Sequence, residues 1–238
     1  MASDSRPAVR ASGTAQDDPG AAKADLQTRD LLVLSALRLF ARHGIEGVSL
    51  RQITAEAQQS NQSVVQYYFQ SKDGLIEAVL AHVAQLLLPS QDAALAELDG
   101  ASEQGPLQAR QVVSAAVMPF VMAYATSDTG RWSIRFLSRM TWQADEKGFR
   151  MVEGMLWPYF MRVQRHLESA MPNQSPESLQ TKCLFAIVDL IHGLASSRLL
   201  ASSPVVGERY QKDPWSIAQH LIDYITGGLS YEPTVKPR

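Results

Sequence analysis

The sequence predicts an all-α protein in which an N-terminal helix-turn-helix domain of three helices is joined to a larger C-terminal helical bundle. Three observations carry this. From Thr28 onward apolar residues recur at the i, i+3, i+4, i+7 spacing of a helix face. Nowhere does the alternation of a half-buried strand, with clustered β-branched residues, last for a strand's length. Helix start and stop signals also come close together up to Ser71 and farther apart beyond it.

Each element follows from its own residues. Leu32, Ala36, Leu39 and Phe40 make the stripe of the first helix, and Gly44 stands where a left-handed C-cap can end it. Ser49 with Gln52 has the spacing of a capping box, and Val48 with Ile53 that of a hydrophobic staple, so a second helix starts at Leu50. With about eight residues it is too short to persist alone and must dock on its neighbours through Leu50, Ile53 and Ala57. Gln58 to Asn61 is a polar break. Ser60 or Asn61 can cap a third helix, Gln62 to Tyr68, which ends near Phe69. Ser71 caps a fourth over residues 71–88, with Asp73 at its positive dipole end and Leu75, Ile76, Val79, Val83 and Leu86 as its apolar face up to Pro89.

Leu98 to Pro106 reads as a loop by composition. Helical patterns resume at Leu107–Tyr124, Thr129–Trp142 and Phe149–Ala170, the last with a kink or break expected at Pro158. Glu177–Ala201 carries a stripe of Leu184, Ile187, Val188, Ile191, Leu194 and Ala195 suited to packing on another helix. Asp213 and Pro214 open a final helix that Gly227-Gly228 closes. Residues 1–25 and 231–238 read as tails, leaving domains at 26–88 and 89–230.

Composition narrows function. The 238 residues are 45% hydrophobic, and 22 Lys+Arg against 24 Asp+Glu leave a net charge of -2. Such a chain buries a core and does not coat nucleic acid through bulk charge, although a local patch can still bind it. The single Cys183 excludes an intramolecular disulfide and fits a reducing, cytoplasmic setting. No apolar run approaches the roughly 20 residues of a membrane span, so no membrane partner is expected. The N-terminus lacks the apolar stretch of a signal peptide. No phosphate-loop, dinucleotide, zinc-protease or serine-hydrolase motif is present, so no cofactor and no enzymatic activity are expected. His43, His82, His166, His192 and His220 form no i, i+3 or i+4 pair, which argues against a metal site. His192 interrupts an apolar helix beside Asp189, and both a structural and a ligand-contacting role are open to it.

The informative segment is Ser49 to Lys72. Its third helix offers Asn61, Gln62, Ser63, Gln66 and Tyr67, whose amide, hydroxyl and phenol groups can read base edges or hold phosphates, while Val64 and Val65 can face inward. A short solvated helix is the alternative. Charge does not choose between them, because Arg29, Arg38, Arg42, Arg51 and Lys72 are balanced by Asp30, Glu46, Glu56, Asp73 and Glu77.

The run Leu-Arg-Leu-Phe-Ala-Arg-His-Gly at 37–44, then Ser49, Leu50-Arg51-Gln52-Ile53, Ala57 and Tyr67-Tyr68-Phe69-Gln70-Ser71-Lys72-Asp73-Gly74-Leu75 resembles the N-terminal domain of TetR-type transcriptional regulators. The likeness is ungapped over about fifty residues and joins several separate motifs. It implies a recognition helix from Ser60 to Tyr68, with Ser49 and Arg51 near phosphates and Lys72 as the phosphate-contacting lysine. It also implies a homodimer on double-stranded DNA with an inverted repeat, most often a repressor released by a ligand. An activator or a ligand-independent regulator is the alternative, and a helical enzyme or interaction module a more distant one. Two positions depart from the family: Gln58 stands where Gly is frequent, and Gln66 where tyrosine is usual.

Beyond Pro89 the resemblance rests on length and helical pattern, in a region that holds the family's ligand pocket and dimer interface. Met118, Phe120, Met122, Trp132, Phe136, Met140, Trp142, Met155, Trp157, Phe160 and Met161 can line an adaptable apolar pocket or form plain core. Phe120, Trp132, Arg135, Phe136, Arg139, Met155 and His192 are the expected ligand-binding residues. Arg135 and Arg139, one turn apart, can hold an acidic group of a small, mostly apolar effector, or form a solvated face. Leu184, Ile187, Val188, Ile191, Leu194, Leu221 and Tyr224 are the expected dimer interface.

Overall fold

The computed structural model describes residues 19–143, 146–197, 199, 202–205 and 214–231. Nine helices follow one another among them, with no strand: α1 Pro19–His43, α2 Leu50–Glu56, α3 Ser63–Phe69, α4 Lys72–Gln104, α5 Ala109–Thr126, α6 Asp128–Gln143, α7 Glu146–Ala170, α8 Pro176–Ala195 and α9 Pro214–Ser230. None is long and apolar enough to cross a membrane.

The first three helices and the start of α4 make a small head. Leu32, Ala36, Leu37 and Phe40 of α1 are buried against Ile53 of α2, Val65 of α3 and Leu75 and Val79 of α4. Gly44 ends α1 at φ 79°, its amide donating to the Phe40 carbonyl at 2.9 Å. Ser49 and Gln52 form the expected capping box, the Ser49 amide reaching Gln52 Oε1 at 2.8 Å and the Gln52 amide reaching Ser49 Oγ at 3.3 Å. The flanking Val48 and Ile53 are both buried.

Several boundaries differ from those expected. Helix α1 begins at Pro19, so residues 19–25 are helical, while 1–18 and 232–238 lie outside the described residues. Helix α4 runs through Pro89 to Gln104 and takes in most of the expected loop. Proline removes one backbone donor, but Leu87, Gln91, Leu95 and Leu98 continue the buried face past it against α5 and α7, and packing outweighs the local preference. The same holds for Pro158, which interrupts neither α7 nor its buried row of Val152, Leu156, Tyr159 and Val163. Gly227-Gly228 does not close the last helix, because buried Leu229 anchors a further turn. Helix α8 ends at Ala195, where the Ser196 amide returns to the His192 carbonyl; Ala201 and Asp213 lie outside the described residues.

In the body, α5 is the central helix, packed against α4, α6, α7 and α9. Phe120 of α5 is fully buried and stacks on Phe160 of α7 with ring centroids 5.7 Å apart. Head and body meet where α1 lies along α6: Phe40 stacks on Phe136, and the Arg38 guanidinium sits over the Trp132 ring at 5.8 Å. A third tie joins the first turns of α4 and α7, with Lys147 Nζ 2.6 Å from Asp73 Oδ2.

Candidate nucleic-acid interface and ligand cavities

The turn between α2 and α3 is built by backbone hydrogen bonds. The Gln59 amide donates to the Thr54 carbonyl at 2.7 Å, and Gln58 occupies φ 57°. This is the left-handed region where glycine is least strained, so Gln58 accepts a conformational cost to keep the turn. Asn61 Oδ1 then accepts from the Ser63 amide at 2.9 Å and supplies an end-amide acceptor for α3. Gln70, at φ 64°, ends the helix with its amide on the Gln66 carbonyl.

With Val65 and Phe69 buried and Val64 half-buried, α3 has one possible orientation. It turns Asn61, Gln62, Ser63, Gln66 and Tyr67 to solvent, and Tyr67 is 74% exposed. Ser60, Ser49 and Arg51 are exposed nearby. Ser49, however, already has its hydroxyl engaged with Gln52, so it serves the cap in the free protein. Lys72 is half-buried; its ammonium donates to the Ile45 carbonyl at 2.7 Å and lies 6.0 Å from the Phe40 ring centroid, which leaves further donors for an anion. Tyr68 differs from the rest. It is half-buried and its hydroxyl donates to Asp25 of α1, a bond that pushes its pKa up to about 12.

The expected ligand-binding residues separate into two groups. Phe120 and Phe136 are fully buried core, and Met155 packs half-buried against that core. Trp132, Arg135, Arg139 and His192 come together instead in an open groove of about 820 Å³ between the end of α1, α6 and the end of α8. His192 is fixed there, Nδ1 being 2.8 Å from Ser138 Oγ and Nε2 3.1 Å from Thr141 Oγ1. Burial pushes its pKa down against the opposing effect of Asp189.

A second cavity, of about 330 Å³, lies among α5, α7, α8 and α9, lined by Val117, Trp157, Phe160, Met161, Leu184 and Ile187 among others. Of the soft residues of α5–α7, Trp157, Phe160 and Met161 thus line this cavity, together with smaller apolar residues of α5, Leu184 and Ile187 of α8, and Ile225 and Leu229 of α9. The Cys183 thiol in this wall is pushed up to about 11, mainly by burial and secondarily by Glu168. The signal that could have placed this wall was the breadth of the α8 stripe, whose residues face both α5 and α7.

The expected dimer residues also divide. Leu184, Val188 and Tyr224 are exposed and Ile187 and Leu221 half-buried, whereas Ile191 and Leu194 are buried within the protomer against its own core. Those two are not available to a partner; Phe185, 66% exposed beside Leu184, extends the outer face in their place. Among the described residues no three His, Cys, Asp or Glu stand close enough to hold a metal ion.

Residues 32–79 match the bacterial regulatory proteins of the tetR family, and residues 114–228 match the tetracyclin repressor-like C-terminal domain. The chain belongs to the TetR family. It is a DNA-binding transcriptional regulator rather than an enzyme, and the helix-turn-helix described above falls wholly inside the matched N-terminal segment. The fold agrees. A tetR-family regulatory protein from Rhodococcus RHA1 superposes with a TM-score of 0.56 at 18% identity, covering 87% of this chain and 98% of that one. A Clostridium perfringens protein assigned as a fatty acid metabolism regulator gives 0.55 at 15%, covering 87% and 100%. A Rhodococcus sp. protein assigned to the same TetR family gives 0.55 at 14%, covering 86% and 100%. No curated protein matches the TetR-family chain in sequence.

Proposed function

We propose that this regulator works as a homodimer that reads an inverted repeat in double-stranded DNA with α3 of each chain, and that it is a repressor released by a small, mostly apolar molecule. The observation that carries the reading is the solvent-facing row of α3, Asn61, Gln62, Ser63, Gln66 and Tyr67, held on a head whose inner face is fully buried. Amides and hydroxyls on a rigid helix suit base edges, and Arg51 and Lys72 at its flanks suit phosphates. One such helix per chain spans one half-site, so a twofold pair accounts for a complete operator.

Leu184, Phe185, Val188 and Tyr224 support the dimer, since together they expose large apolar side chains on α8 and α9. Leu184 and Ile187 also line the 330 Å³ cavity, so a molecule bound there touches the same helix face that a partner covers. The cavity is of a size and polarity for a small apolar effector. Helix α4, about 50 Å long at 1.5 Å per residue, runs from the head into the body and can transmit the change.

Selection of bound sequences from a random pool of duplexes tests the reading. An enriched inverted repeat is expected, bound by two chains; a pool that stays unenriched overturns it. The ligand clause is tested by thermal shifts over neutral aromatics, apolar acids and cations, followed by gel shifts with the selected duplex. A stabilising apolar compound should weaken DNA binding, and one that stabilises without any effect on DNA affinity removes the coupling.

A further inference from the structure

We propose that the groove between the end of α1, α6 and the end of α8 binds an anion attached to a flat ring, an aromatic carboxylate or phosphate ester, at a site separate from the apolar cavity. Two arginine pairs at i, i+4 meet across it, Arg38 with Arg42 on α1 and Arg135 with Arg139 on α6. Like charges at that spacing repel. Arg38 is neutralised by Glu56. Arg42, Arg135 and Arg139 have no carboxylate within ion-pair distance among the described residues, so three positive charges line one groove without a neutralising partner. Asp189, one turn before His192, acts on that ring electrostatically but is not among the residues that line the groove.

Arg135 and Arg139 are half-buried and both line the groove, so neither side chain stands fully in solvent. A carboxylate or phosphate between them and Arg42 would accept forked, charge-assisted hydrogen bonds and remove the repulsion. The ring requirement comes from the walls: Trp132 lines the groove, and so does Trp142, 81% exposed, its ring T-shaped to that of His192 with centroids 6.1 Å apart. His192, bonded on both ring nitrogens to hydroxyls, is a neutral floor rather than a further cation. Because Arg42 belongs to the head and Arg135 and Arg139 to the body, a bound anion clamps one to the other. That regulatory consequence rests on the DNA-binding reading above; the binding itself does not.

Titration calorimetry on the full chain with phenyl phosphate, benzoate, inorganic phosphate and benzyl alcohol tests the site. Saturable binding of phenyl phosphate or benzoate is expected, weaker binding of inorganic phosphate, and none of the alcohol; whichever aromatic anion binds tighter names the head group. The double variant R135Q/R139Q should weaken the aromatic anion by about tenfold or more. R42Q, at an exposed position outside the core, should weaken it by a smaller factor and keeps the test decisive if the double variant fails to fold. No saturable heat with either aromatic anion, equal affinity for the alcohol, or unchanged affinity in the variants overturns the proposal. Gel shifts of R135Q/R139Q without any probe should show unchanged DNA affinity, and a loss with a shallower salt dependence would instead make these arginines DNA contacts. If the unmodified chain bound no duplex, the DNA-binding reading would fail while the calorimetry still decided the groove.

Discussion

The Phe136 ring stacks on Phe40 with centroids 6.1 Å apart and planes inclined by 23°, and both side chains are fully buried. This places the middle of α6 directly on α1, so the DNA-reading head is held to the body through its first helix as well as through α4. Movement of the head therefore has to repack this contact.

Phe136→Ala should cost about 3–5 kcal/mol in chemical denaturation, the range for deleting a buried aromatic ring. Phe136→Leu should recover a large part of it. A loss below about 1 kcal/mol for the alanine variant would mean that the site collapses freely and that the stack does not join head to body.

Gly74, in the first turn of α4, should tolerate no side chain. A Cβ there would lie 2.0 Å from the Phe69 carbonyl oxygen, which closes α3, so the recognition helix would have to shift. Gly74→Ala is expected to lower stability by about 1–3 kcal/mol and to weaken DNA binding. Gly100, in the same helix with open space around it, is the control. Gly100→Ala should stabilise by about 0.5–1 kcal/mol in thermal melts, and equal losses at both positions would contradict the packing argument.

Specificity and affinity should separate by residue. Gln62→Ala or Gln66→Ala should change which bases are preferred and cost about 1–3 kcal/mol on the best duplex. Lys72→Ala should weaken all duplexes alike and lower the salt slope by about one. Because Lys72 also holds the Ile45 carbonyl, some of its loss will be structural, and the slope is the readout that isolates the phosphate. An unchanged slope would remove Lys72 from the DNA contacts.

Tyr68 links α3 to α1 and sets an alkaline limit. Its pKa rises from 10.0 to about 12, chiefly because the neutral hydroxyl donates to Asp25. A raised folded-state pKa means that the bond's contribution is fully present below pH 10 and is lost as the pH climbs toward 12. The stability difference between the unmodified chain and Tyr68→Phe should be constant below pH 10 and shrink above it. A difference that does not vary with pH over this window would show that the bond is absent in solution.

The parts of this fold that were legible in the sequence are those set by neighbours in the chain. Gly44, the Ser49–Gln52 box and Ser71 each make their bonds within four residues, and all three stand where their local chemistry puts them. Pro89 and Gly227-Gly228 misled because a stop signal is weak beside a buried face that continues past it. The site divides in the same way. The outward row of α3 follows from Val65 and Phe69 alone, whereas the meeting of Arg42 with Arg135 and Arg139 depends on how α1 lies along α6, which no local spacing encodes. Ile191 and Leu194 share a stripe with Val188, and only the packing of α8 on α6 and α9 decides which of them a partner can reach.

Hydroxyl-radical footprinting of the full chain on its selected duplex shows whether paired α3 helices read the DNA. Two α3 helices from a twofold pair should protect two related patches on one face of the duplex, with half-site centres roughly 34–36 Å apart or somewhat more. Both should vanish together when Gln62 and Gln66 are replaced by alanine. A single protected patch, or a footprint that survives that replacement unchanged, would contradict DNA reading by paired α3 helices.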